Sequence, residues 1–454
     1  MLTDRPDPRD VRDDVDLDVL GVGFGPANIA LAIALDEDAR GDGAGPRDGR
    51  GRGLQALFVE QSPTLSWHEG MLFDDASMQV SFLKDLATFR NPTSPYTFVS
   101  FLKAVDRLVD FTNRGSMTPL RVEFVAYLRW VAGQLAHLVS YGTRVELVRP
   151  VVEDGAVVRY DVTVVRDGRR EVLRARNVVM AAGLRPRLPD GVVEGPRVWH
   201  SARFLPRIAA HTGGQEAFVV VGSGQSAAEV AMHLYQRFPQ AVVHLVTTRF
   251  GLAPADQGPL VNEIFDPATV DLVFDAEPAA RERLARMHAN ANYGVVNPDL
   301  VRDVFDTVYR DRWLGVERLV LHRRSRVVDV HEQPGEVAVR VLDDLTGTSR
   351  TLAASAVVLA TGYRAFDGGT LLGADADLLV RDHQGRVLVD RDCRARLHVD
   401  GRAGLYLVGQ SEHQHGVATT LLSTVAVRAG DIADSLLSAH LVAQHADRPE
   451  GTHV

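Results

Sequence analysis

The sequence predicts an α/β protein built from two Rossmann-like dinucleotide-binding domains and a small helical segment. The main observation is a repeated pattern of apolar strand, glycine-containing turn and helix, which begins at residue 15 and again near residue 217. Each pattern is followed by a second apolar strand, as expected for a parallel sheet with helical connections. The other observation is the stretch 262–316, which has helical periodicity and few strand signals. At 454 residues the chain is long enough for two or three domains.

The first pattern starts with "VDLDVLGV" at 15–22, a short apolar run typical of a buried parallel strand. "GFGPANIALAIAL" follows as a glycine turn and a helix, and "LQALFVE" forms a second strand that ends at Glu60. Between them, the charged and glycine-rich stretch 36–53 is predicted to be an exposed loop. The residues before 15 are charged and contain no apolar segment, so we expect a disordered tail and no signal peptide.

The second pattern reads "AFVVVGSGQSAAEVAMHLYQRF" from residue 217, and "AVVHLVTTR" supplies the next strand. Two further apolar strands, in "NVVMAAGLRP" (177–186) and "AVVLATGYRAF" (356–366), end in turns of small residues. We expect the chain to pass between the two domains at these turns. The last two predicted elements are a strand, "GLYLVGQ", and a helix in "GVATTLLSTVAVRAGDIADSLL".

Composition excludes several classes of protein. The formal net charge of -9, with no block of lysines and arginines, argues against nucleic-acid binding. The single cysteine, Cys393, excludes the paired-cysteine site of disulfide reductases, which share this architecture. No run reaches the roughly 18 apolar residues of a membrane span, so a cytoplasmic enzyme is expected.

The first glycine loop has the residue types that let a backbone approach a pyrophosphate at a helix N-terminus. Its candidate cofactor residues are Gly21, Gly23, Gly25, Pro26 and Asn28. Glu60, at the end of the second strand, can accept hydrogen bonds from ribose hydroxyls. The alternative for Glu60 is a solvated carboxylate at a strand end.

The second glycine loop favours a different nucleotide. Its candidate residues are Gly222, Gly224, Gln225, Ser226 and Glu229. The strand after it ends in Thr247, Thr248 and Arg249 instead of an acid, and such side chains can receive a 2′-phosphate. The loop therefore predicts NADPH in preference to NADH, unless Arg249 is only a surface arginine. Two dinucleotide folds in one chain indicate FAD in one and NADPH in the other, with O2 as the electron acceptor.

The stretch "SWHEGMLFDDASMQVSFLKDLATFRNPTSPYTF", which ends at Phe98, carries a more specific signal. It closely resembles the flavin-dependent N-hydroxylating monooxygenases, the ornithine and lysine N-hydroxylases of siderophore biosynthesis. Further motifs match in the same order, namely "RVEFVAYLRW" (121–130), "GSGQSAAE" (222–229), "VNEIF" (261–265), "NANYGVV" (290–296), "ATGY" (360–363) and "HGVATTLLS" (415–423). The resemblance covers nearly everything from 15 to 440.

The resemblance implies that NADPH reduces FAD and that reduced FAD reacts with O2 to give a C4a-hydroperoxyflavin. This species hydroxylates the side-chain amine of L-ornithine to N5-hydroxy-L-ornithine. It also implies a homo-oligomer, usually a tetramer, and a three-domain organisation. The expected boundaries are a disordered tail at 1–14, an FAD-binding domain at 15–188 and 351–440, an NADPH-binding domain at 189–261 and 317–350, a helical substrate-binding segment at 262–316, and a tail at 441–454.

The family's substrate residues match four positions of this sequence. Lys84 matches a lysine that pairs with the substrate α-carboxylate, which gives a reason for a cation in a mostly apolar or neutral stretch. The alternative interpretation of Lys84 is that its aliphatic part packs against the protein while its ammonium group extends into water. Asn262 and Asn292 match asparagines that contact the amino acid's backbone groups and side-chain amine. Ser423 matches a serine near the amine and the flavin.

The resemblance also adds residues around the cofactors. Gln79 and His68 match positions that line the flavin and nicotinamide, although His68 could equally be a core histidine. Gln79, Asn292 and Ser423 are the catalytic candidates, and Trp67, Tyr293 and Leu421 are further cofactor candidates. The two histidines of "HQH" (413–415) suggest a metal site, but no further ligand cluster accompanies them, so a position against the flavin is favoured. Cys393, beside Arg394, is interpreted as incidental.

Three alternatives remain open at this point. An L-lysine N6-monooxygenase differs by one substrate methylene, a difference worth only about 1–3 kcal/mol in a binding pocket. A diamine N-hydroxylase would leave Lys84 without a carboxylate to bind. A non-catalytic flavoprotein would retain both glycine loops without turnover.

Overall fold

The computed structural model describes residues 17–41, 53–212, 214 and 216–446. Twenty strands are found there, most of them short and buried. They are β1 (Leu17–Val22), β2 (Ala56–Val59), β3 (Val139–Ser140), β4 (Thr143–Glu153), β5 (Ala156–Arg166), β6 (Arg169–Met180), β7 (Leu184–Pro186), β8 (Val198–His200), β9 (Ala217–Val221), β10 (Val242–Val246), β11 (Ala253–Pro254), β12 (Val295–Val296), β13 (Leu319–His322), β14 (Ser325–Gln333), β15 (Glu336–Asp343), β16 (Ser349–Ala354), β17 (Ala356–Leu359), β18 (Tyr363–Ala365), β19 (Asp400–Gly401) and β20 (Leu405–Leu407).

Thirteen α-helices occur in the same described residues, and short 3-10 turns lie between some of them. The helices are α1 (Pro26–Arg40), α2 (Phe98–Ala104), α3 (Leu108–Arg114), α4 (Arg121–Gln134), α5 (Phe204–Ala209), α6 (Gln225–Arg237), α7 (Pro259–Asn262), α8 (Pro267–Asp275), α9 (Pro278–Met287), α10 (Pro298–Trp313), α11 (Gly369–Leu372), α12 (Glu412–His415) and α13 (Val425–Ala446).

The first large sheet contains parallel strands in the order β3-β2-β1-β6-β20. Strands β4, β5 and β6 continue it as an antiparallel meander. Strand β1 is an almost uninterrupted apolar run because both faces of the sheet are covered, as in other parallel sheets. Helices α1, α4 and α13 pack on one face, where Val19, Phe58 and Val179 join the core.

The second large sheet repeats this plan. Its strands are all parallel, in the order β13-β10-β9-β17-β8, and a separate antiparallel meander, β14-β15-β16, lies beside them. Helix α6 packs its buried residues, such as Val230 and Leu234, on this sheet together with Val304 and Val308 of α10. The prediction of two Rossmann-like domains is confirmed.

The two domains are joined by a narrow ribbon and by an ion pair. Strands β7 and β18 pair antiparallel, with Arg185 opposite Arg364, at the two places where the chain was predicted to cross. The Arg121 guanidinium of α4 also binds both carboxylate oxygens of Glu229 on α6, at 2.9 and 3.2 Å. The segment 187–362 is therefore inserted into the first domain. The return to the FAD-binding domain expected at residue 351 is too early, because β17 (Ala356–Leu359) pairs with β9 and β8 in the second sheet.

The helical segment predicted at 262–316 contains α8, α9 and α10, which confirms its helical periodicity. The exception is β12, which pairs in parallel with β11 through Val295 and Ala253. This small pair places residues 289–297 beside the second glycine loop, where the Gly224 and Gly294 backbones lie close together.

Three predictions on loops and tails need correction or lie outside the described residues. The loop predicted at 36–53 is wrong for 36–40, which continue α1. Asp36 and Glu37 are buried there because Tyr96 and Arg90 bind them, at 2.7 Å each. Residues 42–52 and the predicted tail at 1–14 lie outside the described residues. The tail predicted at 441–454 is wrong for 441–446, which continue α13; the rest is not described.

Within the described ranges, no helix has the length and apolar character that crossing a bilayer requires. In the same part of the chain, no three or more histidine, cysteine or acidic side chains are arranged to hold a metal ion.

Candidate active site

A cavity of about 580 Å³ lies at the carboxyl ends of β1, β2 and β6. This edge of a parallel sheet is where nucleotide ligands bind in open α/β folds. The cavity is long: it starts at the first glycine loop, Gly23 to Pro26, and reaches Thr419 to Leu422, just before α13. Glu60, Trp67 and His68 line it between these ends.

The first glycine loop is shaped for close approach of a ligand to the backbone. Gly23 has a φ of 83°, and a Cβ there would lie 2.6 Å from the Ala181 carbonyl oxygen. Gly25 and Pro26 then begin α1, whose first N–H groups face the cavity end. Gly21 packs against the Phe58 ring, and a Cβ there would overlap that ring. This geometry fits a pyrophosphate.

Glu60 lies beside the same loop, as a ribose-binding acid requires. Its carboxylate accepts hydrogen bonds from the backbone N–H groups of Phe24 at 2.9 Å and Ser62 at 2.8 Å. These bonds fix the carboxylate at the cavity wall. The role predicted for Asn28 changes, because its amide donates to the Val22 and Gly23 carbonyls at 3.2 and 2.7 Å and does not line the cavity. Asn28 shapes the loop.

Trp67 and His68 form a second wall of the cavity. Their rings meet edge to face with centroids 4.2 Å apart. His68 borders the open cavity, and enclosure by its walls, together with the nearby Arg121 charge, lowers the pKa of His68 to about 4. The imidazole is therefore neutral near pH 7. Leu421, also predicted, lines the far end of the cavity.

The cavity contains a cation that sequence reasoning missed. Arg428 of α13 lines it, and its guanidinium donates to the Thr419 carbonyl oxygen at 2.7 Å. The sequence signal was an arginine within an apolar helix, "VAVRAGDIA". The first glycine loop, Glu60, the aromatic wall and this cation fit FAD along the length of the cavity.

The second glycine loop has equivalent geometry. A Cβ on Gly222 would lie 2.3 Å from the Ala360 carbonyl oxygen, just as a Cβ on Gly23 would lie 2.6 Å from the Ala181 carbonyl oxygen. Gly224 and Ser226 stand at the N-terminus of α6, which suits a second pyrophosphate.

Two residues predicted to contact NADPH make structural contacts instead. The Gln225 amide donates to Glu229 at 2.9 Å and accepts the N–H of Asn297 at 2.8 Å. The Glu229 carboxylate is bound by Arg121. Gln225 thus connects α6 to the start of α10, and Glu229 connects it to the first domain.

The strand end after the second loop was predicted to bind a 2′-phosphate. Thr247 is buried and its hydroxyl is bonded to Ser223 at 2.7 Å, so this residue is not available for a phosphate. Arg249 remains at the surface and donates to the Tyr293 carbonyl oxygen at 3.3 Å. Arg323 and Arg324 lie nearby, each over the exposed Phe250 ring at 5.5 Å. These arginines fit NADPH.

The predicted substrate residues of the helical segment do not line the cavity, but they are connected to its end through α12 and the turn that follows it. Asn292 precedes Tyr293, whose hydroxyl donates to Glu412 of α12 at 2.6 Å. Helix α12 leads into the 3-10 turn Val417–Thr420, and Thr419 and Thr420 line the cavity. Asn262 ends α7, and its amide donates to the Gln257 carbonyl at 3.3 Å. The turn after it, Glu263–Phe265, packs against the turn Val417–Thr420.

Lys84 and Gln79 lie on the loop between β2 and α2. Lys84 is partly buried and makes no ion pair or side-chain hydrogen bond with any described residue. The neighbouring Asp85 is buried and fixes the loop by accepting the N–H groups of Ala87 and Phe98. Gln79 is exposed and does not line the 580 Å³ cavity. None of the direct side-chain hydrogen bonds within the described residues joins Lys84 to Asn262, Asn292 or Ser423.

The remaining predictions concern residues near α12 and α13. Ser423 is buried in the turn Leu422–Thr424, next to the cavity end. The favoured position of "HQH" against the flavin is wrong: His415 stacks on Phe274 at 5.2 Å and bonds to Ser411, and both histidines line a second cavity of about 350 Å³. Cys393 is buried, which raises the pKa of its thiol to about 11.

Comparison with known proteins gives a consistent result. The model of the family described as L-lysine 6-monooxygenase/L-ornithine 5-monooxygenase matches residues 16–365. A Pseudomonas aeruginosa L-ornithine N(5)-monooxygenase is 37% identical over 426 residues, which cover 92% of this chain and 93% of that protein.

Solved structures of similar proteins lead to the same family. The chain matches an ornithine N-hydroxylase from Kutzneria sp. 744, in a structure described with reduced FAD, NADP+ and L-ornithine, at a TM-score of 0.88 and 41% identity, over 94% of this chain and all of that one. An L-lysine 6-monooxygenase from Pseudomonas syringae matches at a TM-score of 0.80 and 31% identity, over 93% and 99% of the two chains.

Proposed function

The chain belongs to the L-lysine 6-monooxygenase/L-ornithine 5-monooxygenase family, and from this premise we propose that it hydroxylates the side-chain amine of L-ornithine to N5-hydroxy-L-ornithine. It is an FAD-dependent N-hydroxylating monooxygenase that uses NADPH. The observation that carries the proposal is the Tyr293–Glu412 hydrogen bond. It holds Asn292 beside the helix that leads into the FAD cavity.

The chain's own residues hold the two cofactors. Gly23, Gly25 and Pro26 bind the FAD pyrophosphate, and Glu60 binds its ribose. Gly222, Gly224 and Ser226 bind the NADPH pyrophosphate, and Arg249 binds its 2′-phosphate. When bound, FAD accepts electrons from NADPH and supplies the activated oxygen atom that is transferred to the amine.

The substrate residues bind and orient an amino acid. Lys84 pairs with its α-carboxylate, which is the partner that this partly buried ammonium lacks within the described chain. Asn262 and Asn292 can donate and accept, as a zwitterion requires. Ser423 and Asn292 lie at the amine end. Exclusion of water favours the neutral amine, whose pKa is near 10.4 in water, over the ammonium.

Ornithine is preferred to lysine in this proposal because the compared ornithine hydroxylase is the more similar structure, with a TM-score of 0.88 against 0.80. The product serves siderophore or related natural-product biosynthesis. A cytoplasmic location, where NADPH is available, and assembly as a homo-oligomer, a tetramer, belong to the same proposal.

The test is a hydroxylamine assay with ornithine, lysine and putrescine as substrates. We expect ornithine to give hydroxylamine in step with NADPH oxidation, lysine to give less, and putrescine least because it lacks a carboxylate. Hydrogen peroxide as the only product with all three amines would contradict the proposal.

A further inference from the structure

Helix α10 carries an aromatic stripe on its outer face. Phe305, Tyr309 and Trp313, four residues apart, are 63%, 53% and 75% exposed. Adjacent rings contact one another, with centroids 6.2 and 6.3 Å apart. The opposite face of the helix is buried, with Val304 and Val308 in the core of the second domain.

The stripe is larger than a scattered set of exposed apolar residues. Three aromatic side chains at these exposures leave roughly 400 Å² of apolar surface in contact with water. Leu314 and Val316, which follow the helix, are also exposed, at 69% and 40%. Contiguous apolar patches of this size on a folded protein mark interaction sites. A standard interface buries about 800 Å² per partner, so the stripe and its charged borders provide much of one.

The charges on α10 favour a second copy of the same helix. The exposed charges between residues 299 and 306 of the helix are Asp299, Arg302, Asp303 and Asp306, and those close to its C-terminus are Arg310 and Arg312. Three acids and one arginine give -2, and two arginines give +2. The remaining charged residue, Asp311, is buried and bonded to Tyr235. No ion pair with any described residue uses the six exposed charges, although the Arg310 guanidinium donates a 3.5 Å hydrogen bond to the Tyr235 hydroxyl.

An antiparallel pair of α10 helices matches these features. Pairing about a two-fold axis places the acidic part of each helix, residues 299–306, beside the basic end of its partner, residues 310–312, and brings the two aromatic stripes together. Asp306 and Arg310 border the same side of the stripe, so each Asp306 meets the partner's Arg310. These interactions replace exposed aromatic surface and unpaired charge with buried contact and ion pairs.

We propose that the outer face of α10 is a self-association surface that binds the same face of a second copy of the chain. The inference rests on the proposed homo-oligomer and identifies the surface that forms it. The surface is also connected to the substrate segment: Asn297 caps α10, and its N–H donates to Gln225 of α6. Association would therefore act on the helix that directly follows residues 292–297.

The test is the molecular mass of the FAD-loaded protein by light scattering and sedimentation at several concentrations. We expect the wild type to be a dimer or a multiple of it. Tyr309→Glu with Trp313→Glu should halve that mass while the flavin absorbance and the unfolding temperature stay close to wild type. The control is Val109→Glu on α3, which changes an equally exposed apolar residue, 70% exposed, and should leave the mass unchanged.

Charge exchange tests the antiparallel arrangement. Asp306→Arg alone should weaken association at least tenfold, and adding Arg310→Asp should restore it, since the exchanged pair is again complementary. Failure of the second change to restore association overturns the antiparallel pairing. A monomeric wild type would contradict both the proposed homo-oligomer and the proposed surface. An oligomer whose mass is unchanged by Tyr309→Glu with Trp313→Glu would contradict the surface alone. Hydroxylamine formation, measured separately, reports on the proposed reaction.

Discussion

The Tyr293 hydroxyl donates a 2.6 Å hydrogen bond to Glu412, which joins the helical segment to the helix in front of the FAD cavity. Burial raises the pKa of Glu412, and the hydrogen bond from Tyr293 opposes that rise. Arg249 holds the same segment from the other side, at the Tyr293 carbonyl. Asn292 is thus placed by contacts with both domains.

Loss of this hydrogen bond should weaken substrate binding. We expect Glu412→Ala and Tyr293→Phe each to raise the KM for ornithine about 5- to 10-fold, which corresponds to the net contribution of one typical hydrogen bond, about 1 kcal/mol. The double variant should be no worse than either single one, because both remove the same interaction. Glu412→Gln, which can still accept, should stay near wild type. Additive losses in steady-state assays would show that the two residues act independently.

Lys84→Ala should raise the KM for ornithine roughly 10- to 100-fold and leave kcat nearly unchanged, because pairing with the α-carboxylate is the same in ground and transition states. The KM for putrescine, which has no carboxylate, should not change. The matched control is Lys103→Ala, the other lysine of the chain, which is exposed on α2. An unchanged KM for ornithine in Lys84→Ala would remove this residue from the site.

Arg249→Ala should raise the KM for NADPH about tenfold or more while the KM for NADH stays unchanged, since only NADPH carries the 2′-phosphate. Measuring flavin reduction in the absence of ornithine separates this effect from the contact between Arg249 and Tyr293. Arg237→Ala, an exposed arginine at the end of α6, is the control. Equal losses with both nucleotides would place the phosphate elsewhere.

His415 should make the fold less stable in acid. Burial, with Arg391 and Arg428 nearby, lowers the pKa of His415 to about 4 in the folded protein. The unfolded chain binds the proton near pH 6.5, so stability is full above that pH and falls as the pH drops towards 4, by up to about 3 kcal/mol. In His415→Asn, the unfolding temperature should fall less between pH 7 and pH 4.5. Parallel curves for the two proteins would contradict this assignment.

Local patterns in the sequence were sufficient for the fold and for the backbone of the site. The strands that flank the two glycine loops, the loops themselves and the two domain crossings depend on residues close together in the chain, and they were predicted. The antiparallel meanders formed by β4, β5 and β6 and by β14, β15 and β16 were not. Side-chain partners were not, because they come from distant segments. Glu229 is bound by Arg121, 108 residues away, and the Asp36 and Glu37 charges are bound by residues more than 50 positions later.

Contacts with distant segments also decide the roles of individual side chains, which the sequence therefore did not predict. Thr247 has the side chain of a phosphate ligand, but its hydroxyl bonds to Ser223 in the preceding loop. His415 stacks on Phe274, and no local sequence motif predicts this contact. Arg428 reaches the FAD cavity only because α13 packs along α1.

The paired strands β7 and β18 bring the two ends of the inserted segment next to each other. An insertion whose ends are adjacent can be exchanged as a cassette, because a short linker can rejoin the host chain without distorting it. Such an exchange would leave Lys84 and Ser423 with the flavin and carry Asn262 and Asn292 away with the nicotinamide. A chimera of two related enzymes made at residues 187 and 362 would therefore take Lys84 and Ser423 from one parent and Asn262 and Asn292 from the other.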